Sequence, residues 1–433
     1  MNIKEKLIAT KNPIIYSLIY LAKWLFLSIL VSVPMGLLAS FFLNSLNFVT
    51  NYRDSNYYII FLLPFGGALV SYLYKCYGGS SSKGNNLIIE QIEYMGKNYE
   101  RVPKRLVPLV LLGTLVTHLF GGSAGREGTA LQMGGSVADG ISALLKLSKD
   151  DRKILLLCGI AAGFGSVFGT PIAGAVFAIE IAVIGSMNSY ALIPCFLSAF
   201  LSNILGELFG AAHTHYEFLD VPSFNIEIIF KVLIASIIFG LCSLVFSKAL
   251  GFLKKHFTKL MPNPILKSFI GGIVIIILIY VLKGWNFIGL GVPIIMDSLK
   301  EPLPIYYFIF KMLFTLLTLS LGFQGGEVTP LFFIGATLGN ALGQILGVSP
   351  LFLAGLGFIG VFSGAANTPL ACFIMGIELF HGQGAEYLFI AALVSYLFSG
   401  HNGIYSSQSI LKPKYPWVKL EDKVTLADYK KRL

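Results

Sequence analysis

The chain repeats itself at a nearly constant distance. Thr170-Pro171-Ile172-Ala173 leads to Ile179-Glu180-Ile181, and 198 residues later Thr368-Pro369-Leu370-Ala371 leads to Ile377-Glu378-Leu379. A second match falls 200 residues apart: Glu127, Thr129, Leu131 and Gly135 against Glu327, Thr329, Leu331 and Gly335. Small, apolar runs precede both Thr-Pro pairs, Gly163 to Phe168 in one case and Val361 to Ala366 in the other. Two independent matches at nearly one spacing divide the chain into related halves, 15–212 and 225–411. A polar linker at 213–224 joins them, and short segments, 1–14 and 412–433, flank them.

Apolar stretches recur from Ile14 to Ser399. Only 12% of residues are charged, about half the share of a soluble domain. Most stretches approach the roughly 20 residues that span a bilayer, and several are broken by Gly and Pro. The chain therefore reads as all-α and polytopic, with the lipid bilayer as its surroundings. Duplicated membrane chains of this kind build transporters whose substrate site lies between the halves. The net charge of +10 does not point to a nucleic acid. Basic residues gather at the ends (Lys4, Lys6, Lys11; Lys412, Lys414, Lys419, Lys430, Lys431, Arg432) and at Lys149, Arg152, Lys153, Lys254, Lys255 and Lys259. Short basic flanks favour the cytoplasm, so both termini read as cytoplasmic. The first apolar run is too long for a cleavable leader. Five scattered cysteines suggest neither a metal site nor a disulfide framework. His213-Thr214-His215 lacks a third ligand and reads as a linker loop, so no metal or cofactor is expected.

Three Gly-rich segments carry the chemistry. They are Gly78 to Asn86, Gly122 to Thr129 and Gly322 to Pro330. Each precedes an apolar run that reads as a helix, and Pro330 sits where first-turn prolines belong. Free N–H groups at converging helix starts bind a small anion without a full positive charge. Glu127 lies within the second segment at membrane depth, where an ionisable group is costly and marks function.

These segments resemble those of the CLC family of chloride channels and anion/proton antiporters. Its motifs run G-S-G-I-P, G-R-E-G-P and G-x-F-x-P. Gly125-Arg126-Glu127-Gly128-Thr129 matches the second, with Thr129 where proline is usual. Gly326 and Pro330 match the ends of the third. The first departs furthest, with Lys83-Gly84-Asn85-Asn86-Leu87 in its place. Together with Glu327-Val328-Thr329, these departures resemble the fluoride/proton antiporter branch (CLC-F). The residue after Glu180 is Ile181, so the internal proton glutamate of chloride antiporters is missing, as it is in that branch. The resemblance implies inverted repeats, a homodimer with one pore per subunit, no cytoplasmic regulatory domain, and a multi-pass place in a bacterial inner membrane. Its substrates would be fluoride, or else chloride, and protons. A chloride/proton antiporter and a passive chloride channel of the same fold are the alternatives. An intramembrane enzyme using Glu127 and Glu327 as acid and base is the remote one, since no nucleophile or metal ligand accompanies them.

Fluoride is small and strongly hydrated, so its site needs dense donors. An Asn amide offers two donors where a Ser hydroxyl offers one. The resemblance makes Glu127 the gate and Tyr405 a central anion contact. Asn85, Asn86, Gly125, Gly128, Gly326, Val328 and Thr329 are the further anion-site candidates. Glu327 reads either as a second proton-transfer group or as a structural carboxylate, and Thr329 as hydrogen-bonding either Glu327 or the anion. Arg126 reads as pairing with carbonyls or a carboxylate at a helix start. Glu180 and Glu378 read as structural.

Overall fold

A computed structural model describes residues 13–93, 100–418, 420 and 423–432. The basic residues Lys4, Lys6, Lys11 and Lys419 lie outside the described residues.

The described chain is mostly helical, as the apolar runs require. A bilayer core offers no water to unpaired backbone groups, and a helix satisfies its own. The first half comprises α1 (Pro13–Ser55), α2 (Leu63–Leu73), α3 (Asn85–Glu93), α4 (Leu106–Leu119), α5 (Glu127–Leu144), α6 (Lys149–Phe168), α7 (Pro171–Glu180) and α8 (Leu192–Leu208). The second comprises α9 (Ile226–Leu260), α10 (Pro264–Val281), α11 (Val292–Ser298), α12 (Tyr307–Ser320), α13 (Val328–Leu346), α14 (Pro350–Ala366), α15 (Pro369–Leu379) and α16 (Ala385–Phe398). A short α17 (Leu426–Arg432) follows. Six helical stretches among the described residues are long and apolar enough to cross a membrane. α1, with 43 residues, is about 65 Å long, twice the roughly 30 Å hydrocarbon core, so it tilts or projects. Shorter helices alternate with these: α4 and α12 have 14 residues each, about 21 Å, and stop inside that thickness.

The order α4-α5-α6-α7-α8 recurs as α12-α13-α14-α15-α16. Close backbone contact defines both copies. A Cβ on Gly134 of α5 would lie 2.0 Å from the Gly159 carbonyl oxygen of α6. One on Gly335 of α13 would lie 2.1 Å from that of Gly357 in α14. Lipid supplies no hydrophobic drive between helices, so such approaches replace it with dispersion contacts. α14 is apolar all round and buried along nearly its whole length, which places it at the centre.

The halves also exchange carboxylates. Glu180, ending α7, accepts N–H bonds from Leu370 and Ala371 at the start of α15, at 3.2 and 2.9 Å. Glu378, near the end of α15, accepts from Ile172 and Ala173 at the start of α7, at 3.0 and 2.7 Å. Each negative charge meets the positive end of the other helix. This gives Glu180 and Glu378 their structural work.

Charge places the chain ends together. Lys23 in α1 pairs with Asp151 of α6 at 2.6 Å. Glu93 of α3 contacts Lys153 of α6 and pairs with Lys423. A small sheet ties the last segment down: β1 (Val183–Ile184) runs parallel to β2 (Ser409–Ile410), which runs antiparallel to β3 (Val424–Thr425). Arg152 differs from the sequence reading of a loop charge. It is buried and grips the buried Asp139 of α5 through Nε at 2.6 Å and Nη2 at 2.9 Å. A guanidinium can afford burial with a bidentate carboxylate partner, and Asp139 supplies one.

Candidate functional site

The α4–α5 and α12–α13 connections meet face to face. Gly125 N–H donates to Gly326 O at 2.6 Å, and Gly326 N–H returns the bond to Gly125 O at 2.8 Å. Helix breaks leave orphan backbone groups, and here two breaks satisfy each other. The expected free amides at Gly125 and Gly326 are therefore committed to this bridge. Only small residues allow it, since a Cβ on Gly125 would stand 3.0 Å from Gly326 O.

The bridge brings residues 127 and 329 together. Thr329 Oγ1 lies 2.6 Å from each carboxylate oxygen of Glu127. Thr329 N–H and Arg126 N–H both donate to Oε2, each at 3.1 Å. Arg126 Nε stands 3.6 Å from Oε1, in keeping with a carboxylate partner for that arginine. Glu127 is 1% exposed. The sequence alone offers Thr329 to Glu327 or to the anion; in the structure its hydroxyl meets the carboxylate of Glu127, not that of Glu327. Reading along the chain favours near neighbours, whereas the antiparallel bridge sets the start of α13 against the start of α5. A further bond, Thr114 to Thr129 between hydroxyls at 2.6 Å, steadies the first turn of α5.

The remaining Gly-rich segment, Gly78 to Asn86, arrives at Gly128. A Cβ there would lie 3.1 Å from Asn85 Nδ2 and 3.1 Å from Gly326 Cα, so all three segments converge on this residue. Asn85 Oδ1 is buried without a hydrogen-bond partner, and so is the Tyr405 hydroxyl. Buried polar groups in native proteins are nearly always satisfied. The Tyr405 hydroxyl can donate to an incoming group, whereas Asn85 Oδ1 only accepts; the donor that Asn85 offers is Nδ2, near Gly128.

Asn86 stands differently from Asn85. Its Oδ1 accepts from Ser407 N–H at 3.0 Å, which ties the start of α3 to the Tyr405 loop. Val328 is buried in the first turn of α13. Glu327 immediately precedes α13. It faces Lys254 of α9, Nζ to Oε1 3.4 Å.

Two cavities flank Glu127. One, of about 260 Å³, is lined by Asn85, Asn86, Gln132, Lys254, Glu327 and Tyr405 among others. It lies toward the end where the chain's first and last described segments meet. The second, of about 330 Å³, is lined by Asn47, Arg53, Asp54 and Arg126 with the turn Trp285 to Ile294. It lies at the far end of α1. The Glu127 carboxylate thus sits between a near and a far cavity. Among the described residues, no group of three His, Cys, Asp or Glu converges as metal ligands would.

Sequence reading passed over several buried polar residues near this site. His118 of α4 touches Thr114 O and Ala124 O at 2.8 and 3.0 Å. Lys311 of α12 is fully buried and donates to Phe287 O and Gly289 O at 3.1 and 2.8 Å. Their charge was legible, but carbonyl partners leave no trace in a sequence.

Known proteins bear on the site. The family model described as voltage gated chloride channel matches residues 66–400. A chloride/fluoride channel protein of Pseudomonas syringae pv. tomato is 44% identical over 417 residues, 95% of this chain and 91% of that one. Among solved structures, a CLC-type fluoride/proton antiporter superposes with a TM-score of 0.86 at 34% identity, covering 90% of this chain and 98% of that one. A slow cyanobacterial chloride/proton antiporter gives 0.77 at 20% identity over 87% and 94%, a likeness of fold.

Proposed function

This chain belongs to the voltage gated chloride channel (CLC) family, and from that premise we propose that it is a fluoride/proton antiporter. It exports fluoride on the inward proton gradient from a bacterial inner membrane, as a homodimer with one pore per subunit and both termini cytoplasmic. The halves 15–212 and 225–411 are its inverted repeats. One observation carries the reading: a buried carboxylate, Glu127, holds the donors of Thr329 and Arg126 between two cavities, near the Asn85 amide nitrogen beside Gly128 and the unpartnered Tyr405 hydroxyl.

A small anion and a carboxylate compete for the same donors. Ionised, Glu127 accepts from the Thr329 hydroxyl and two amides, and closes the path. Protonated, it loses the charge-assisted share of those bonds and leaves the seat, so the anion takes its place. The proton taken up from one side is released to the other as the carboxylate returns. Asn85 and Tyr405 hold the anion on the near side, with amides at Gly128 and Val328 and the Thr329 hydroxyl above them. Gly125 and Gly326 hold the two helix starts at the needed separation. Glu327, in the near cavity, passes protons between Glu127 and solvent. Amide and hydroxyl donors in a tight cluster suit fluoride, whose dehydration cost only short, dense hydrogen bonds offset. The relatives support the same substrate, since one is named for chloride and fluoride and one is a fluoride/proton antiporter.

The test is flux from liposomes holding the purified protein, with fluoride or chloride inside and pH recorded outside. Fluoride efflux should drive proton uptake, and chloride efflux should be far slower. Equal chloride flux refutes the substrate; fluoride flux without proton movement refutes the coupling.

A further inference from the structure

Tyr405 sits in a loop, His401 to Gln408, that follows α16 and has no regular structure. An anion contact held by a loop needs rigid support. The loop is braced from both halves at once, and the brace centres on one residue that no motif contains.

Asn367 follows α14 in the left-handed region, with φ 58°. Its Nδ2 donates to Asn402 O at 3.0 Å and to Gln408 Oε1 at 3.1 Å. These partners flank Tyr405 on either side. Its Oδ1 accepts from Lys414 Nζ at 2.6 Å. Gln408 then donates to Ile181 O beyond α7, at 2.7 Å, and to Ala366 O, at 2.8 Å. Ile404 N–H donates to Ala365 O at 2.9 Å. The amide of Asn367 is thus fully used, and so is that of Gln408. Lys414 completes the set by donating to Tyr396 O and Ser399 Oγ at 2.7 and 2.9 Å. Gly403 admits the approach, since a Cβ there would fall 2.5 Å from Asn367 Nδ2.

We propose that Asn367 is a positioning residue for Tyr405, clamping the loop on both sides so that the tyrosine hydroxyl faces the anion site. The proposal rests on the reading of Tyr405 as an anion contact. Asn367 touches no anion itself. Its contribution is to hold the hydroxyl in place before the ion arrives, which spares binding the cost of ordering the loop. Gln408 carries the clamp to the first half through Ile181, so the hydroxyl is registered against both repeats. Lys414 fixes the amide orientation, because an ammonium accepts no bond and must face Oδ1.

Three variants test this in liposome flux: Tyr405→Phe, Asn367→Gly and the double variant. Glycine keeps the positive φ at no steric cost, so the change removes the side chain without straining the backbone. Losing the clamp should raise the fluoride KM by about tenfold, the size of one or two hydrogen bonds. kcat should stay within about twofold, and selectivity over chloride should fall. Tyr405→Phe should do the same, and the double variant should be no worse than either single one, since both act through one hydroxyl. If Tyr405→Phe shifts KM and Asn367→Gly does not, or if the two effects add, positioning is refuted. If Tyr405→Phe itself leaves KM unchanged, the anion role of Tyr405 fails, and the clamp with it. Asn367→Asp guards against misfolding: it keeps the Lys414 bond, loses both donors, and should reproduce the KM shift.

Discussion

Replacing Glu127 by Gln tests the gate most directly. The carboxylate accepts three donors: the Thr329 hydroxyl, 2.6 Å from each oxygen, and the amides of Thr329 and Arg126, both at 3.1 Å. Bonds to a charged group contribute about 1.5–3 kcal/mol and neutral ones about 0.5–1.5. Glutamine retains neutral versions of these bonds, so each loses about 1 kcal/mol, and the seat loses about 3 kcal/mol in all. At 1.4 kcal/mol per tenfold, the side chain vacates the seat about 150 times more readily. An anion competing for those donors gains up to the same factor in apparent affinity. The variant also has no proton to carry. Liposome flux with fluoride and pH electrodes should therefore record continuing, passive fluoride efflux with no proton uptake. Fluoride titration of the purified variant should show tighter binding. Proton uptake at the wild-type ratio refutes the gate. Unchanged fluoride affinity refutes the competition between carboxylate and anion.

Other perturbations separate the gate from its scaffold. Thr329→Val removes one charge-assisted donor, about 1.5–3 kcal/mol, and should lower the proton-to-fluoride ratio by slippage, read in the same assay. Glu180→Gln and Glu378→Gln each weaken one reciprocal cap by about 1 kcal/mol. Both should lower the melting temperature of the purified protein by similar small amounts and leave coupling intact. Gly335→Ala forces a Cβ toward the Gly357 carbonyl, 2.1 Å away, where backbone has no room to yield. It should abolish monodisperse protein on size-exclusion chromatography. In the segment beyond α16, His401 Nε2 accepts the Lys414 N–H at 2.9 Å. Burial, and then the Lys414 ammonium, pull the imidazole pKa down to about 4. A folded pKa below the unfolded value of about 6.5 means stability present above that pH and lost as pH falls toward 4. Melting temperature should drop over this window, and His401→Gln should flatten the drop.

The sequence displayed whatever depends on spacing along one element. The Gly-rich breaks, Glu127, Pro330 and the repeated Thr-Pro starts all follow from local chemistry, and each stands at a helix boundary. Pairings between halves were beyond it. Glu180 and Glu378 were visible as equivalents, but only the fold turns each toward the other's helix. Thr329 illustrates the same limit, since its partner is 202 residues away. Asn367, Gln408 and Lys414 were silent for another reason. Isolated amides and lysines after a helix end are common, and nothing in their order marks them as one cluster.

The meeting of the two helix breaks bears on how a single carboxylate would serve as the proposed gate. Two helix breaks meet at the Gly125–Gly326 bridge, so the amides of α13 face a side chain from the start of α5. Each half alone supplies an incomplete set: the acceptor comes from the first, and the hydroxyl and one amide come from the second. In the proposed mechanism, departure of the carboxylate would therefore free donors on the opposite half, where an anion would bind at once. A carboxylate bound only by its own helix would leave its donors behind it, away from the path. In the proposed mechanism, the pairing of Glu127 with Thr329 across the bridge is thus what makes the ionised carboxylate and the anion compete for one seat.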